Sequence, residues 1–182
     1  MDSGSLPRVI ATQRFDLIWL DARTLRKFAS SPNEAARTLR ATNPDALLTG
    51  DERAIAELFA ERLERHPRNE TWTIRGVIER ESSTIVGHAG FHFRPDEQGV
   101  IEIGYSTGAS RRREGIAREV VLGLLEAARA SQLVTVVRGV TAPENRASQR
   151  LLETVGFTVS KNQETHLVEQ EKLYLFNIEP SN

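Results

Sequence analysis

Apolar residues along the chain follow two periods. Between residues 51 and 65 they fall at Ile55, Leu58, Phe59 and Leu63, the spacing of a helix with one apolar stripe, and His66-Pro67 stops the pattern. A stronger helix follows in GIAREVVLGLLEAARAS, residues 115–131, where Ile116, Val120, Leu124 and Ala127 or Ala128 share a face. Residues 145–155 repeat the helical period, and Gly156 stands where a left-handed C′ residue would end it. Asp21 caps a shorter helix carrying Leu25 and Phe28, closed by Ser30-Ser31-Pro32-Asn33. Runs of β-branched and aromatic residues predict strands at 12–20, 71–79, 84–93, 99–105 and 135–140, with two more near 157–161 and 172–176. Residues 1–8 read as a loose tail, and residues 32–50 carry no decisive period.

The order of these elements is informative. One strand and two helices precede three strands joined by short polar connections at 80–83 and 95–98, which suit antiparallel hairpins. Helix, strand, helix and two strands follow. The prediction is a single α+β domain over residues 1–182: a mixed, mostly antiparallel sheet of about seven strands flanked by about four helices, with a βαβ unit inside it.

Composition narrows the function classes. The 182 residues are 39% hydrophobic and 27% charged, without an apolar run near the roughly 18 residues of a membrane span. The opening MDSGSLPRV lacks a basic n-region and an apolar h-region, so a soluble cytoplasmic protein with no membrane partner is expected. Cysteine is absent, which excludes disulfides, cysteine-ligated metals and a thiol nucleophile. A net charge of −1 supplies no global attraction for nucleic acid.

Chemistry concentrates at RRREGIA, residues 111–117, between a strand and the long helix. Unpaired N–H groups in a first helical turn, the positive end of the helix dipole, and small residues at Gly115 and Ala117 make an anion site, to which three arginines add charged donors. The alternative is a solvated basic run. No GxGxxG is present, and the lysine-serine or lysine-threonine end of a nucleoside-triphosphate loop is missing.

The segment EIGYSTGASRRREGIAREVV, followed by APENRASQRLLETVGF, resembles the coenzyme-A-binding core of the GNAT superfamily of acyl-CoA-dependent N-acyltransferases, and among them the ribosomal-protein N-terminal acetyltransferase type. The family pattern Q/R-x-x-G-x-G/A is matched by Arg112, Gly115 and Ala117. A second signature, Asn-x-x-Ser running into Gly-Phe, is matched by Asn145, Ser148, Gly156 and Phe157. The resemblance implies acetyl-CoA as co-substrate, its pyrophosphate held by the backbone of Arg112, Arg113, Glu114, Gly115, Ile116 and Ala117. It implies that Ile103, Gly104 and Tyr105 pair with the pantetheine arm as an added strand, with Asn145 bonding the arm from the far side. Arg113 departs from the family, where many relatives have glycine.

The reaction so implied is transfer of an acetyl group to a primary amine. Without a cysteine, direct attack by the amine in a ternary complex is the simplest route. Glu102, a carboxylate among apolar neighbours, is a candidate base and equally a candidate ion-pair partner. Ser148 would donate to the departing thiolate, as a serine or tyrosine does in the family; its alternative is a hydroxyl bonded one helical turn back. His88 and His92 lie roughly 13 Å apart on a strand, too far to share a metal, and with Trp72 they are candidate acceptor-site lining. Ala89, Phe91 and Phe93 occupy the opposite, core face. Glu169 and Glu171 read as solvated strand-edge charges. The acceptor stays open between a protein N-terminus and a small amine such as a polyamine, an amino acid or an aminoglycoside, and the assembly between monomer and homodimer. A coenzyme-A-binding module without turnover is the competing reading.

Overall fold

A computed structural model describes residues 4–67, 70–160 and 171–179. Their strands form one eight-stranded sheet in the order β1-β2-β3-β4-β5-β6-β8-β7. The strands are β1 (Val9–Ala11), β2 (Phe15–Trp19), β3 (Ile74–Glu79), β4 (Thr84–Phe91), β5 (Val100–Thr107), β6 (Val136–Thr141), β7 (Thr158–Val159) and β8 (Lys172–Asn177). The helices are α1 (Ala22–Ser30), α2 (Pro32–Thr38), α3 (Arg53–Arg65), α4 (Ile116–Ser131) and α5 (Arg146–Thr154). Every pairing is antiparallel except β5 with β6, which α4 joins as a βαβ crossover. The mixed α+β class is as expected. Among the described residues no helix is long and apolar enough to cross a membrane.

Two strands and one helix differ from the pattern reading. The first strand is a hairpin, because Thr12 turns the chain: its N–H and hydroxyl both bond the Phe15 carbonyl, and its hydroxyl also donates to Glu119 on α4. Pro32 opens α2 within the stretch that showed no period, at the first helical position, where proline's missing N–H costs nothing. Elsewhere local signals decide the ends. Asp21 accepts from the Thr24 N–H to cap α1, and Gly156 takes φ 101° just past α5. Glu169 lies outside the described residues, and Glu171 is half-buried ahead of β8.

The sheet is covered on both faces. On one, α4 and α5 pack Ile116, Val120, Val121, Leu124 and Leu152 against Phe15, Phe91, Ile101, Ile103 and Val137. On the other, α1, α2 and α3 bury Leu25, Phe28, Ala36 and Phe59 over Ile74, Ile78 and Ile85. Leu58, assigned to the α3 stripe, is 43% exposed, since α3 overhangs β4 and β5 rather than lying flat on them. Phe93, assigned to the core face, is also exposed beyond the end of β4, where the Arg62 guanidinium lies 4.6 Å from its ring centroid.

The predicted tail is held from Gly4 onward. Leu6 is buried and its N–H donates to Thr71 Oγ1, while the Gly4 carbonyl accepts the indole N–H of Trp72 at 2.7 Å. Trp72 is fully buried against Phe91, so it is core and not acceptor-site lining. Arg75, also fully buried, gives its guanidinium to the carbonyls of Arg8, Leu17 and Thr71, tying the same segment to β2 and β3. Replacing Trp72 by Phe strands the Gly4 carbonyl and leaves a void. A loss of about 1–3 kcal/mol in urea unfolding is expected, with early proteolysis ahead of β1.

Candidate active site

The parallel pairing of β5 with β6 lasts three rungs, Val100 with Val136, Ile101 with Val137 and Glu102 with Arg138. Beyond them β6 continues along β8 and β5 along β4, and the two strands part. Alternate residues of a strand direct their main-chain groups to opposite sides. The Glu102 carbonyl accepts from His92 N–H on the β4 side, so the N–H and C=O of Tyr105 face the opening. No rung pairs Tyr105 with β6. An inward strand edge of this kind is where an extended ligand adds as a strand.

The turn at residues 112–117, the expected anion site, lies at the far end of the same strand. After a 3₁₀ turn at Ala109–Arg111, Arg113 and Gly115 adopt φ of 68° and 77°, and α4 begins at Ile116. Glu119 is the first residue to donate back to Gly115, so the N–H groups of Ile116, Ala117 and Arg118 lack helical acceptors. Of the three arginines, Arg111 is committed to Glu79 and Glu114, at 2.8 and 2.9 Å. Arg112 and Arg113 project into solvent, without hydrogen bond or ion pair to the described residues. The left-handed φ of Arg113 is one that glycine adopts without strain.

Facing side chains complete the site on both faces of the sheet. On the α5 face, Tyr105 Oη and Ser148 Oγ are 2.8 Å apart across the opening. Burial pushes the Tyr105 phenol up, so it stays protonated at neutral pH, although its bond with Ser148 opposes the shift. Ser148 therefore bonds across the opening and not back along its helix. Asn145 caps α5 by accepting the Ser148 N–H through Oδ1, which leaves its amide N–H₂ as the group free to meet a ligand.

On the α3 face, a cleft of about 440 Å³ lies over a floor of Gly90 and Gly104, directly opposed across β4 and β5. A Cβ at Gly90 would stand 2.2 Å from the Thr73 carbonyl oxygen, so that part of the floor must remain bare. His88 and His92 flank it, each beside its own carboxylate. His92 Nδ1 is 2.7 Å from Glu102 Oε1, and Arg138 Nε is 3.0 Å from Glu102 Oε2. Burial pushes the Glu102 carboxyl up, but the His92 hydrogen bond and the charges of His92 and Arg138 outweigh it and hold the group below the ordinary carboxylate range.

His88 Nε2 is 3.4 Å from Glu52 Oε2, an ion-pair distance without hydrogen-bond alignment. The Leu48 N–H and the Ser106 hydroxyl bond the same carboxylate. Glu52, Tyr105 as a side-chain donor and Arg138 were not among the functional side chains singled out from the sequence. A polar residue at the start of α3 gave the only hint for Glu52, and the other two depend on cross-strand register. Among the described residues no group of three or more metal-ligating side chains converges.

Comparisons with known proteins give the family and the fold. The family model described as acetyltransferase (GNAT) domain matches residues 17–158, well over half of the chain. The chain belongs to the GNAT acetyltransferase family. It is similar to the uncharacterized N-acetyltransferase YjdG of Bacillus subtilis, 34% identical over 84 residues, 46% of this chain and 50% of that protein. It thus spans about half the length of the curated relatives it matches. Among solved structures, the ribosomal-protein-S5-alanine acetyltransferase of Vibrio fischeri superposes with a TM-score of 0.64 at 14% identity, over 94% of this chain and 97% of that one. The microcin C7 self-immunity acetyltransferase MccE, in complex with acetyl-CoA and AMP, gives 0.63 at 17%, over 91% and 93%. At these identities the structural matches speak for the fold.

Glu52 supplies a test of the cleft by itself. His88 beside it lowers its carboxyl from an ordinary 4.5, against burial, with help from the Leu48 N–H and the Ser106 hydroxyl. A depressed folded value stabilises above the unfolded value and is lost as pH falls through the folded one. Glu52→Gln should therefore destabilise at pH 7, and its deficit relative to the wild type should shrink as pH drops below 4.5, read from urea midpoints.

Proposed function

We propose that the protein transfers the acetyl group of acetyl-CoA to a primary amine, on a protein N-terminus or a small molecule, by direct attack in a ternary complex. The observation that carries this reading is the fork between β5 and β6, with an open main-chain edge at Tyr105, a phosphate turn at one end and a hydroxyl pair across the gap. The edge suits the amides of a pantetheine arm, Asn145 meets the arm from the α5 side, and the first turn of α4 with Arg112 and Arg113 suits a pyrophosphate.

The two faces of the fork divide the chemistry. Tyr105 and Ser148, both protonated, stand on the α5 side, where the pair would hand a proton to the leaving sulfur. The α3 cleft receives the amine opposite them, so that nucleophile and leaving group occupy different sides of the reacting carbon. Ile55, Leu58 and Phe59 roof this cleft, and His88 and His92 line it. Glu102 closes the fork as its last rung and lies beside the reacting end.

A ligand that binds only the folded form must raise the unfolding midpoint, by the equivalent of about 2.7 kcal/mol at a hundred times its dissociation constant. Acetyl-CoA should produce such a rise in the wild type and none in Gly115→Glu, which places a negative charge in a left-handed turn built for an anion. An unchanged wild-type midpoint would sink the reading. With an accepting amine, Ser148→Ala and Tyr105→Phe should each lower kcat by about tenfold to a hundredfold while retaining the acetyl-CoA shift. Wild-type rates in both would remove the hydroxyl pair from the mechanism.

A further inference from the structure

We infer that His92 is the general base that takes the proton of the attacking amine, and that Glu102 is the positioning residue that orients it. The inference rests on the acetyl-transfer reading above and assigns one of its steps. Three side chains run in line across three strands on the cleft face: His92 just past β4, Glu102 on β5 and Arg138 on β6. Both carboxylate oxygens of Glu102 are engaged, Oε1 by His92 Nδ1 at 2.7 Å and Oε2 by Arg138 Nε at 3.0 Å. A carboxylate so occupied, with its side chain only 20% exposed, is poorly placed to collect a proton from an incoming amine. Its neighbour is better placed. The His92 side chain is 36% exposed and lines the cleft.

Position also favours the imidazole. Phe59 of α3 meets its ring edge-on, with centroids 5.9 Å apart. Its Nε2 lies over Gly104, where an added Cβ would stand 2.7 Å away. Gly104 immediately precedes Tyr105, whose main chain faces the fork. Accepting at Glu102 fixes the proton of a neutral ring on Nδ1 and leaves the Nε2 lone pair turned to the strand that carries the donor. The charged groups around the ring are Arg62 from α3, Glu102 with Arg138 behind it, and Arg94 and Asp96 after β4 in the adjoining cleft. Arg62 is stacked on Phe59 and Phe93, so Glu102 is the acceptor that sets the tautomer.

The step balances in atoms and charge. The neutral amine nitrogen attacks the thioester carbon, the C–N bond forms and the C–S bond breaks. One amine proton passes to His92 Nε2, and the sulfur takes a proton from the Tyr105–Ser148 pair. Loss of the His92 proton to solvent, and uptake of one by the hydroxyl pair, restore the resting enzyme. The paired carboxylate of Glu102 and the more accessible imidazole of His92 thus have separate tasks.

The test combines kinetics with a spectrum that does not depend on turnover. His92→Gln should bind acetyl-CoA as the wild type does and lower kcat by about 10²–10³-fold. Glu102→Gln should fall by a smaller factor, and the double variant no further than His92→Gln alone, because the two act as one unit. In ¹⁵N imidazole spectra, neutral His92 of the wild type should carry its proton on Nδ1, and Glu102→Gln should weaken that preference. Turnover within twofold of the wild type in His92→Gln, or a neutral wild-type ring protonated on Nε2, would overturn the assignment. Loss of turnover in Glu102→Gln alone would overturn it too and make Glu102 the base. A wild type that releases no coenzyme A with any amine would instead sink the acetyl-transfer reading on which it stands.

Discussion

The parting of β5 from β6 is the constraint on which the rest of the site depends. A strand edge inside a sheet is costly unless its N–H and C=O groups find partners, and here the divergence leaves Tyr105 facing the gap. The fork is stable because each strand is held on its other side, β5 by five rungs with β4 and β6 by six with β8. Shared packing of Ile101, Ile103 and Val137 under the helices of the α4 face binds the two halves. The Glu102–Arg138 pair fixes the point of divergence.

The turn before α4, the Tyr105–Ser148 pair and the α3 cleft are all placed relative to that opening. The βαβ crossover needs a right-handed return, so the chain leaving β5 must turn into α4 at the end of the open edge, which sets the exposed N–H groups of the first turn of α4 in line with it. Packing α5 on the same face brings Ser148 over Tyr105, while α3 roofs the opposite face and makes a cleft of the space over Gly90 and Gly104. The Tyr105–Ser148 hydroxyl pair and the His92–Glu102 pair thereby lie on opposite faces of the sheet.

Local signals in the sequence carried the fold class, the long helix, the caps at Asp21 and Gly156 and the turn that leads into α4, because each depends on neighbours in the chain. The motif resemblance pointed to Asn145 and Ser148. What escaped was set by tertiary contact. Thr12 breaks a β-branched run because its hydroxyl bonds Phe15 and Glu119. Gly4 and Leu6 are fixed by Trp72 and Thr71, far along the chain, and Phe93 is exposed because β4 ends before it. Glu102 was legible as a carboxylate needing a partner, but the register that places His92 and Arg138 on either side of it was not. Arg111 looked equivalent to its neighbours until Glu79 claimed it.

Amide hydrogen exchange measured with and without acetyl-CoA tests the central claim, that the open edge of β5 is completed by the donor as an added strand. The account predicts that exchange at the Tyr105 N–H slows markedly on binding, together with Ile116 and Ala117 at the start of α4, while the already paired amides of β3 change little. Unchanged exchange at Tyr105 under saturating acetyl-CoA would contradict it.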